Sequence, residues 1–142
     1  MTSLAKTLKM SRTTLVQYFH YLESAKLIQQ VYLEGKGMGV IEKPSKVLLD
    51  NPNLFEALSS SPANEDSRRE CFFVNQFRNS GYKVALAKAG DFTVDNKLTF
   101  EVGGATKTFK QIAGLSDSYI AADDLEIGAG NKIPLWLFGL MY

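Results

Sequence analysis

On both sides of Asp95-Asn96-Lys97 the chain alternates polar and apolar residues, from Asp91 through Val94 and from Leu98 through Val102. A period of two marks a strand with one buried face. A three-residue loop at Asp95-Asn96-Lys97 folds this run into a hairpin that pairs Val94 with Leu98, Thr93 with Thr99, Phe92 with Phe100 and Asp91 with Glu101. Phe92, Val94, Leu98 and Phe100 then share an apolar face, and Asp91, Thr93, Thr99 and Glu101 share a polar one. A two-residue loop would oppose Phe92 to Thr99 and mix the faces. Asn96 suits the left-handed position such a loop needs.

Elsewhere the spacing is helical. A short helix starts at Thr2 or Ser3 and carries Leu4, Ala5 and Leu8, and Lys9-Met10 makes a turn. Ser11 is a good N-cap for a second helix with Leu15, Tyr18, Phe19 and Leu22 on one stripe. A strand over Ile28–Leu33, a Gly-rich stretch Gly35–Gly39 and a return strand over Lys46–Leu49 follow. Asp50–Asn53 reads as a turn, Leu54–Leu58 as a short helix and Ser59–Asn64 as a loop. Asp66 or Ser67 caps a longer helix to about Asn79, with Cys71, Phe72, Val74 and Phe77 apolar and Arg69, Glu70, Asn75 and Gln76 on its polar face. Gly81 is placed to end it. Lys83–Lys88 is a strand ahead of the hairpin, and Gly103-Gly104 ends the hairpin's second strand. A helix from Thr106 to Gly114 carries Phe109 and Ile112, and Ser118–Ala122 is another strand. An acidic, Gly-rich loop over Asp123–Lys132 leads to a buried terminal segment, Ile133–Tyr142.

The expected class is α+β, in two modules. Residues 1–50 look like a winged helix-turn-helix whose first helix is missing, residues 51–64 form a linker, and residues 65–142 form the second domain. Charge separates the modules. Residues 1–46 hold seven basic and three acidic side chains, a balance of +4, and the remainder balances at −3. The first module is the one suited to an anion. In a helix-turn-helix the second helix enters the major groove. Arg12, Thr13 and Gln17 are therefore candidate base contacts and Lys36, in the wing, a candidate phosphate contact. Pure protein contact is the other use of such a module. His20, the single histidine, reads as a partly exposed helical residue rather than a metal ligand. The single cysteine, Cys71, excludes an internal disulfide and suits a reducing, cytoplasmic location. No signal peptide is present, and the longest apolar run is too short to span a bilayer, so no membrane role is expected.

The hairpin register sets two carboxylates, Asp91 and Glu101, against each other. Such a pair needs a shared proton, a nearby cation or a metal ion, unless both acids splay into water at a sheet edge. Oxygen-rich acidic pairs suit Mg²⁺ or Mn²⁺.

Glu70 on a helix, Asp91 at a strand start and Glu101 on the next strand resemble the acids of the PD-(D/E)XK nuclease-like fold. The resemblance implies that Asp91 and Glu101 bind a divalent metal and that a lysine two residues after the second acid helps to activate water. Gly103 holds that place, so the chain departs from the pattern there. Lys107 is the candidate replacement, and Gln111 lies at i, i+4 from it on the expected helix. Several further motifs resemble the C-terminal region of a family of predicted prokaryotic AAA-type ATPases: Arg69–Gln76, Gly90–Val94, Phe100–Gly104, Lys107–Ile112 and Ile133–Gly139. That resemblance covers nearly the whole chain. It implies an ATPase domain in the full-length protein as partner, followed by a winged helix and a nuclease-like domain of unknown function. No Gly-x-x-x-x-Gly-Lys-Ser/Thr motif occurs, so no ATP site is expected in this chain. Two functions follow. The preferred one is a degenerate, non-catalytic module that binds DNA or a partner protein, as Gly103 favours, with weak or absent cleavage of nucleic acid expected. The other is a metal-dependent nuclease with Lys107 as its relocated lysine. A third use, an oligomer interface through the Trp136 segment, is also open.

Overall fold

The computed structural model describes residues 2–35, 44–58 and 64–142. The architecture is mixed α+β. Helices α1 (Thr2–Thr7) and α2 (Arg12–Ser24) precede a two-stranded antiparallel sheet, β1 (Ile28–Val31) and β2 (Lys46–Leu49). After α3 (Asn53–Leu58) and α4 (Glu65–Asn79) comes a five-stranded sheet. Its strands are β3 (Val84–Leu86), β4 (Phe92–Val94), β5 (Leu98–Gly103), β6 (Ser118–Ala122) and β7 (Lys132–Pro134), side by side in chain order. The β3–β4–β5 ladders are antiparallel and the β5–β6–β7 ladders parallel. The switch between them falls on β5, the strand that carries Glu101.

The hairpin folds in the expected register, with Phe92 opposite Phe100, Thr93 opposite Thr99 and Val94 opposite Leu98. Both Asp95 and Asn96 are left-handed, at φ 51° and 55°. The Asp95 carboxylate accepts from the Lys83 amide at 2.9 Å, which ties the loop to the neighbouring strand. The polar face of the hairpin is only partly open to water: Thr93 and Glu101 are buried, and Asp91 and Thr99 are half-buried. Phe92, Val94, Phe100 and Val102 join the main core, while Ile112, Ile120, Ala122 and Leu125 make a smaller one. Glu101 sits opposite Ile120 in the β5–β6 ladder and is fully buried. Gly90 allows the tight fit at this end: a Cβ there would lie 2.8 Å from Ile112 Cγ2, and its φ of +86° suits glycine.

Helix α4 begins two or three residues earlier than expected. Asn64, rather than Asp66 or Ser67, is its N-cap and accepts from the amides of Asp66 and Ser67. Its end is a Schellman motif: Gly81 N donates to Arg78 O, Tyr82 N donates to Phe77 O, and the Tyr82 ring packs edge-on against Phe77. Phe73 is the hub of the core, with ring neighbours Phe77, Phe92, Phe100 and Phe138 at 4.6 to 5.6 Å. Asn75 and Gln76, expected on the polar face, are buried. Asn75 Nδ2 donates to Asp50 O at 2.7 Å and Gln76 Nε2 to Asn75 Oδ1 at 3.0 Å, so the burial is matched by hydrogen bonds.

The same core reaches into the first part of the chain. Val31 and Leu48 belong to it. Leu86 N donates to Tyr32 O, and Glu34 N donates to Leu86 O, so the segment after β1 runs along β3. Arg78 Nη2 donates to Gln30 O at 2.8 Å, and the Gln30 amide group donates to Glu23. The apolar stripe on α2 departs from expectation. Leu15 and Val16 are buried, whereas Tyr18, Tyr21 and Leu22 are exposed. His20 is half-buried, with Nδ1 3.3 Å from Gln30 Nε2. The terminal segment is mixed. Pro134, Leu135 and Phe138 are buried, but Trp136, Leu140 and Tyr142 are exposed.

Cys71 is fully buried and its thiol donates to Leu49 O at 3.0 Å. Burial, with the Asp50 charge, pushes the thiol up to about 12. Cys71 will therefore resist alkylation in native buffer and react fully after denaturation. Rapid native labelling by a maleimide, read by mass spectrometry, would contradict this packing.

Candidate active site

Asp91 lies one step beyond the Phe92–Phe100 pair, and its Oδ2 accepts from Val102 N at 2.8 Å. This bond turns the Asp91 side chain toward β5. Glu101 is at the same end of the ladder. Burial pushes the Glu101 carboxyl above its ordinary value of 4.5, Lys107 pulls it down, and the charges of Asp91 and Glu70 push it up. The net direction is upward.

Lys107 reaches Glu101 by an unexpected route. The helix expected from Thr106 does not form. Instead, Lys107 N donates to Gly104 O at 3.0 Å, closing a turn, and a short 3₁₀ helix begins only at Phe109 (Phe109–Ile112). Thr108 between them is extended and makes no side-chain cap. The turn folds Lys107 back over β5. A Cβ added at Gly103 would lie 2.7 Å from Lys107 Cδ and 3.1 Å from its Cγ. The lysine stem thus crosses the space that a side chain at 103 would fill. Its Nζ sits 2.7 Å from Glu101 Oε1. The ion pair is close, but its alignment is poor for a hydrogen bond, and neither Glu101 oxygen has a hydrogen-bond partner among the described residues. Burial pulls the Lys107 ammonium down, yet Glu101, with Asp91 and Asp66, outweighs it and holds Lys107 above its ordinary value.

Glu70 is drawn in less closely. Its carboxylate pairs with Lys46 of β2 at 2.5 Å, and Lys46 Nζ lies 5.7 Å from the Phe92 ring centroid. Glu70 acts on Glu101 only as a weaker, like charge. Gln111 is exposed and lies on the 3₁₀ helix, so the helical i, i+4 relation to Lys107 does not hold. Both residues nevertheless line one cleft of about 670 Å³, with Gly103, Gly104, Arg69 and Lys110. Arg69 is pinned in the wall by Asp123 at 3.0 Å, Asp66 at 3.1 Å and Asp124 at 3.5 Å.

Lys46, Arg69 and Lys132 contribute to this region without having been singled out from the sequence. Lys132 Nζ donates to Ala105 O at 2.5 Å and to Lys107 O at 3.0 Å. Each acts across a long stretch of chain, which no local pattern encodes. Arg12, Thr13 and Gln17 are exposed on α2, while Lys36 lies outside the described residues. Among the described residues no helix is long and apolar enough to cross a membrane.

Comparison with protein families, curated proteins and solved structures returned no match.

Among the described residues no cluster of three or more His, Cys, Asp or Glu side chains is arranged to hold a metal ion. Mg²⁺ needs fewer, since it keeps several waters and takes one or two carboxylates. The donor chemistry of Asp91 and Glu101 fits such a hard cation, and Glu101 Oε2, the oxygen not paired with Lys107 and buried without a hydrogen bond among the described residues, supplies an observation in its favour.

Proposed function

We propose that this chain is a nuclease-like module that hydrolyses phosphodiester bonds with a divalent cation, using Asp91, Glu101 and Lys107. The observation that carries the reading is the Lys107 stem across Gly103, with Nζ 2.7 Å from buried Glu101. A lysine from a later position thereby supplies the charge that position 103 lacks. Asp91 and Glu101 would hold Mg²⁺ or Mn²⁺, and such a cation supplies Lewis-acid polarisation of a phosphoryl oxygen. Lys107, which lines the cleft although Asp91 and Glu101 do not, would oppose the negative charge that develops on the attacked phosphate. Arg69, locked by three carboxylates, orients the wall of the cleft rather than moving with substrate. The wider architecture proposed with this reading is a winged helix followed by a PD-(D/E)XK-like domain, the C-terminal region of an AAA-type ATPase. The exposed residues Arg12, Thr13 and Gln17 would then meet DNA.

A second reading, a non-catalytic binding module, is favoured by one observation. Glu101 has no exposed surface and its close neighbour is already a cation, so the pair can stand as a structural ion pair. Calorimetry separates the two. The nuclease reading expects Mg²⁺ and Mn²⁺ to bind at millimolar concentration or tighter, with the heat lost in Asp91→Ala. Absence of binding to the folded wild type, or equal binding by Asp91→Ala, would favour the non-catalytic module.

A further inference from the structure

We infer that Lys132 is a positioning residue for Lys107: its ammonium holds the turn from which Lys107 reaches Glu101. The inference rests on the proposed role of Lys107 and adds the element that keeps Lys107 in place.

The need for such an element follows from the local fold. Residue 107 belongs to no helix, so no ladder of backbone hydrogen bonds fixes it. One backbone bond closes its turn, Lys107 N to Gly104 O, and the next residue, Thr108, is extended and uncapped. A lone turn of this kind opens easily, because a single hydrogen bond contributes only about 1 kcal/mol net. Lys132 adds two donors from the far side. Its Nζ bonds Ala105 O at 2.5 Å and Lys107 O at 3.0 Å, two carbonyls on either side of Thr106. An ammonium carries three donors, so one side chain can serve both, and its charge strengthens each bond.

The clamp itself stands on a firm base. Lys132 begins β7 and faces Ile120 of β6 in the ladder. Its backbone makes a reciprocal pair with Ala129, at 3.0 Å and 3.1 Å. Gly128 presses against it so closely that an added Cβ would lie 2.6 Å from Lys132 O. The chain from Gly128 to Pro134 therefore has little freedom, and Lys132 projects from a fixed point onto a segment closed by a single backbone hydrogen bond of its own. Just ahead of the turn, Asp123 N donates to Gly103 O at 2.7 Å, which fixes its start. Lys132 fixes its end.

A purely structural clip and a positioning residue differ in what their loss does to Lys107. The test uses Lys132→Met, which keeps the apolar stem and removes every donor, and Lys132→Arg, which restores two donors on a planar fork. Two readouts do not depend on catalysis: amide hydrogen exchange at Lys107, and the rate at which its Nζ is reductively methylated, both followed by mass spectrometry. In Lys132→Met both rates rise about tenfold, the size expected from losing one or two hydrogen bonds to the turn. In Lys132→Arg they return toward wild type. With Mn²⁺ and an oligonucleotide, kcat falls in Lys132→Met while KM is little changed, and arginine restores kcat. If Lys132→Met does not fold, Lys132→Gln takes its place, and intermediate rates at Lys107 are expected. Unchanged exchange and methylation at Lys107 in a folded Lys132→Met or Lys132→Gln would overturn the inference. Failure of the nuclease reading shows separately, as wild type and Lys107→Ala chains that are equally inactive, and it leaves the two Lys107 readouts to decide the role of Lys132.

Discussion

Lys107→Ala will lower metal-dependent phosphodiester cleavage by about 10²–10³-fold, the loss seen when one preorganised donor to a developing oxyanion is removed. Lys110→Ala will change it only a few-fold. The two lysines line the same cleft, but only Lys107 is ion-paired with the acid, at 2.7 Å. Two glycine substitutions sharpen the expectation. Gly103→Ala places a Cβ 2.7 Å from Lys107 Cδ, in the path of the lysine stem. The stem is flexible enough to move aside, so the chain still folds, but Nζ leaves Glu101, and both stability and cleavage fall. Gly104→Ala meets nothing nearer than the Arg69 guanidinium at 3.8 Å, so it will be tolerated. The measurement is single-turnover cleavage of a labelled oligonucleotide in Mn²⁺, with circular dichroism to show that each variant folds. Robust cleavage by Lys107→Ala, or equal losses for Gly103→Ala and Gly104→Ala, would remove Lys107 from the mechanism.

The sequence made the hairpin legible because strict alternation leaves one register in which Phe92 and Phe100 share a face. The end of α4 was legible for a similar reason, since Gly81 can turn left-handed where other residues are strained. What the pattern hid was set by distant contacts. Asn75 and Gln76 look like surface residues, yet the carbonyl of Asp50, 25 residues away, gives Asn75 a partner inside the protein. Glu101 looks like the polar face of an open hairpin. It is buried because Ile112 and Ile120 cover that face, and nothing between Asp91 and Val102 announces them. Asp91 and Glu101 could be paired from the hairpin register, while Glu70 and Lys107 came only with the resemblance to a nuclease-like fold. The means by which Lys107 arrives could not be read, because helical spacing from Phe109 to Ile112 cannot distinguish a full helix from a short 3₁₀ turn that starts late.

Stability should report the same ion pair independently of any activity. Lys107→Met will destabilise the fold at neutral pH by about 2–3 kcal/mol. This is below the range for a wholly buried pair, because part of the Lys107 side chain is exposed and water screens it. Glu101→Gln in the same chain will recover most of the loss, since it removes the uncompensated buried charge. The pH dependence has a definite sign. Burial raises the folded Glu101 carboxyl above 4.5, so the folded state holds that proton more tightly than the unfolded state. Stability from this group is fully present below 4.5 and is lost as pH rises from 4.5 through the raised folded value. Wild type therefore loses ground relative to Glu101→Gln as pH rises from acid to neutral. In Lys107→Met the cation that pulls Glu101 down is gone, so the loss continues to higher pH. Urea unfolding of the four chains of this cycle, from acid to neutral pH, gives both the coupling and its slope. A coupling near zero at neutral pH, or stability curves that stay parallel across the range, would mean that Lys107 and Glu101 do not share a charge in solution and that the lysine lies elsewhere.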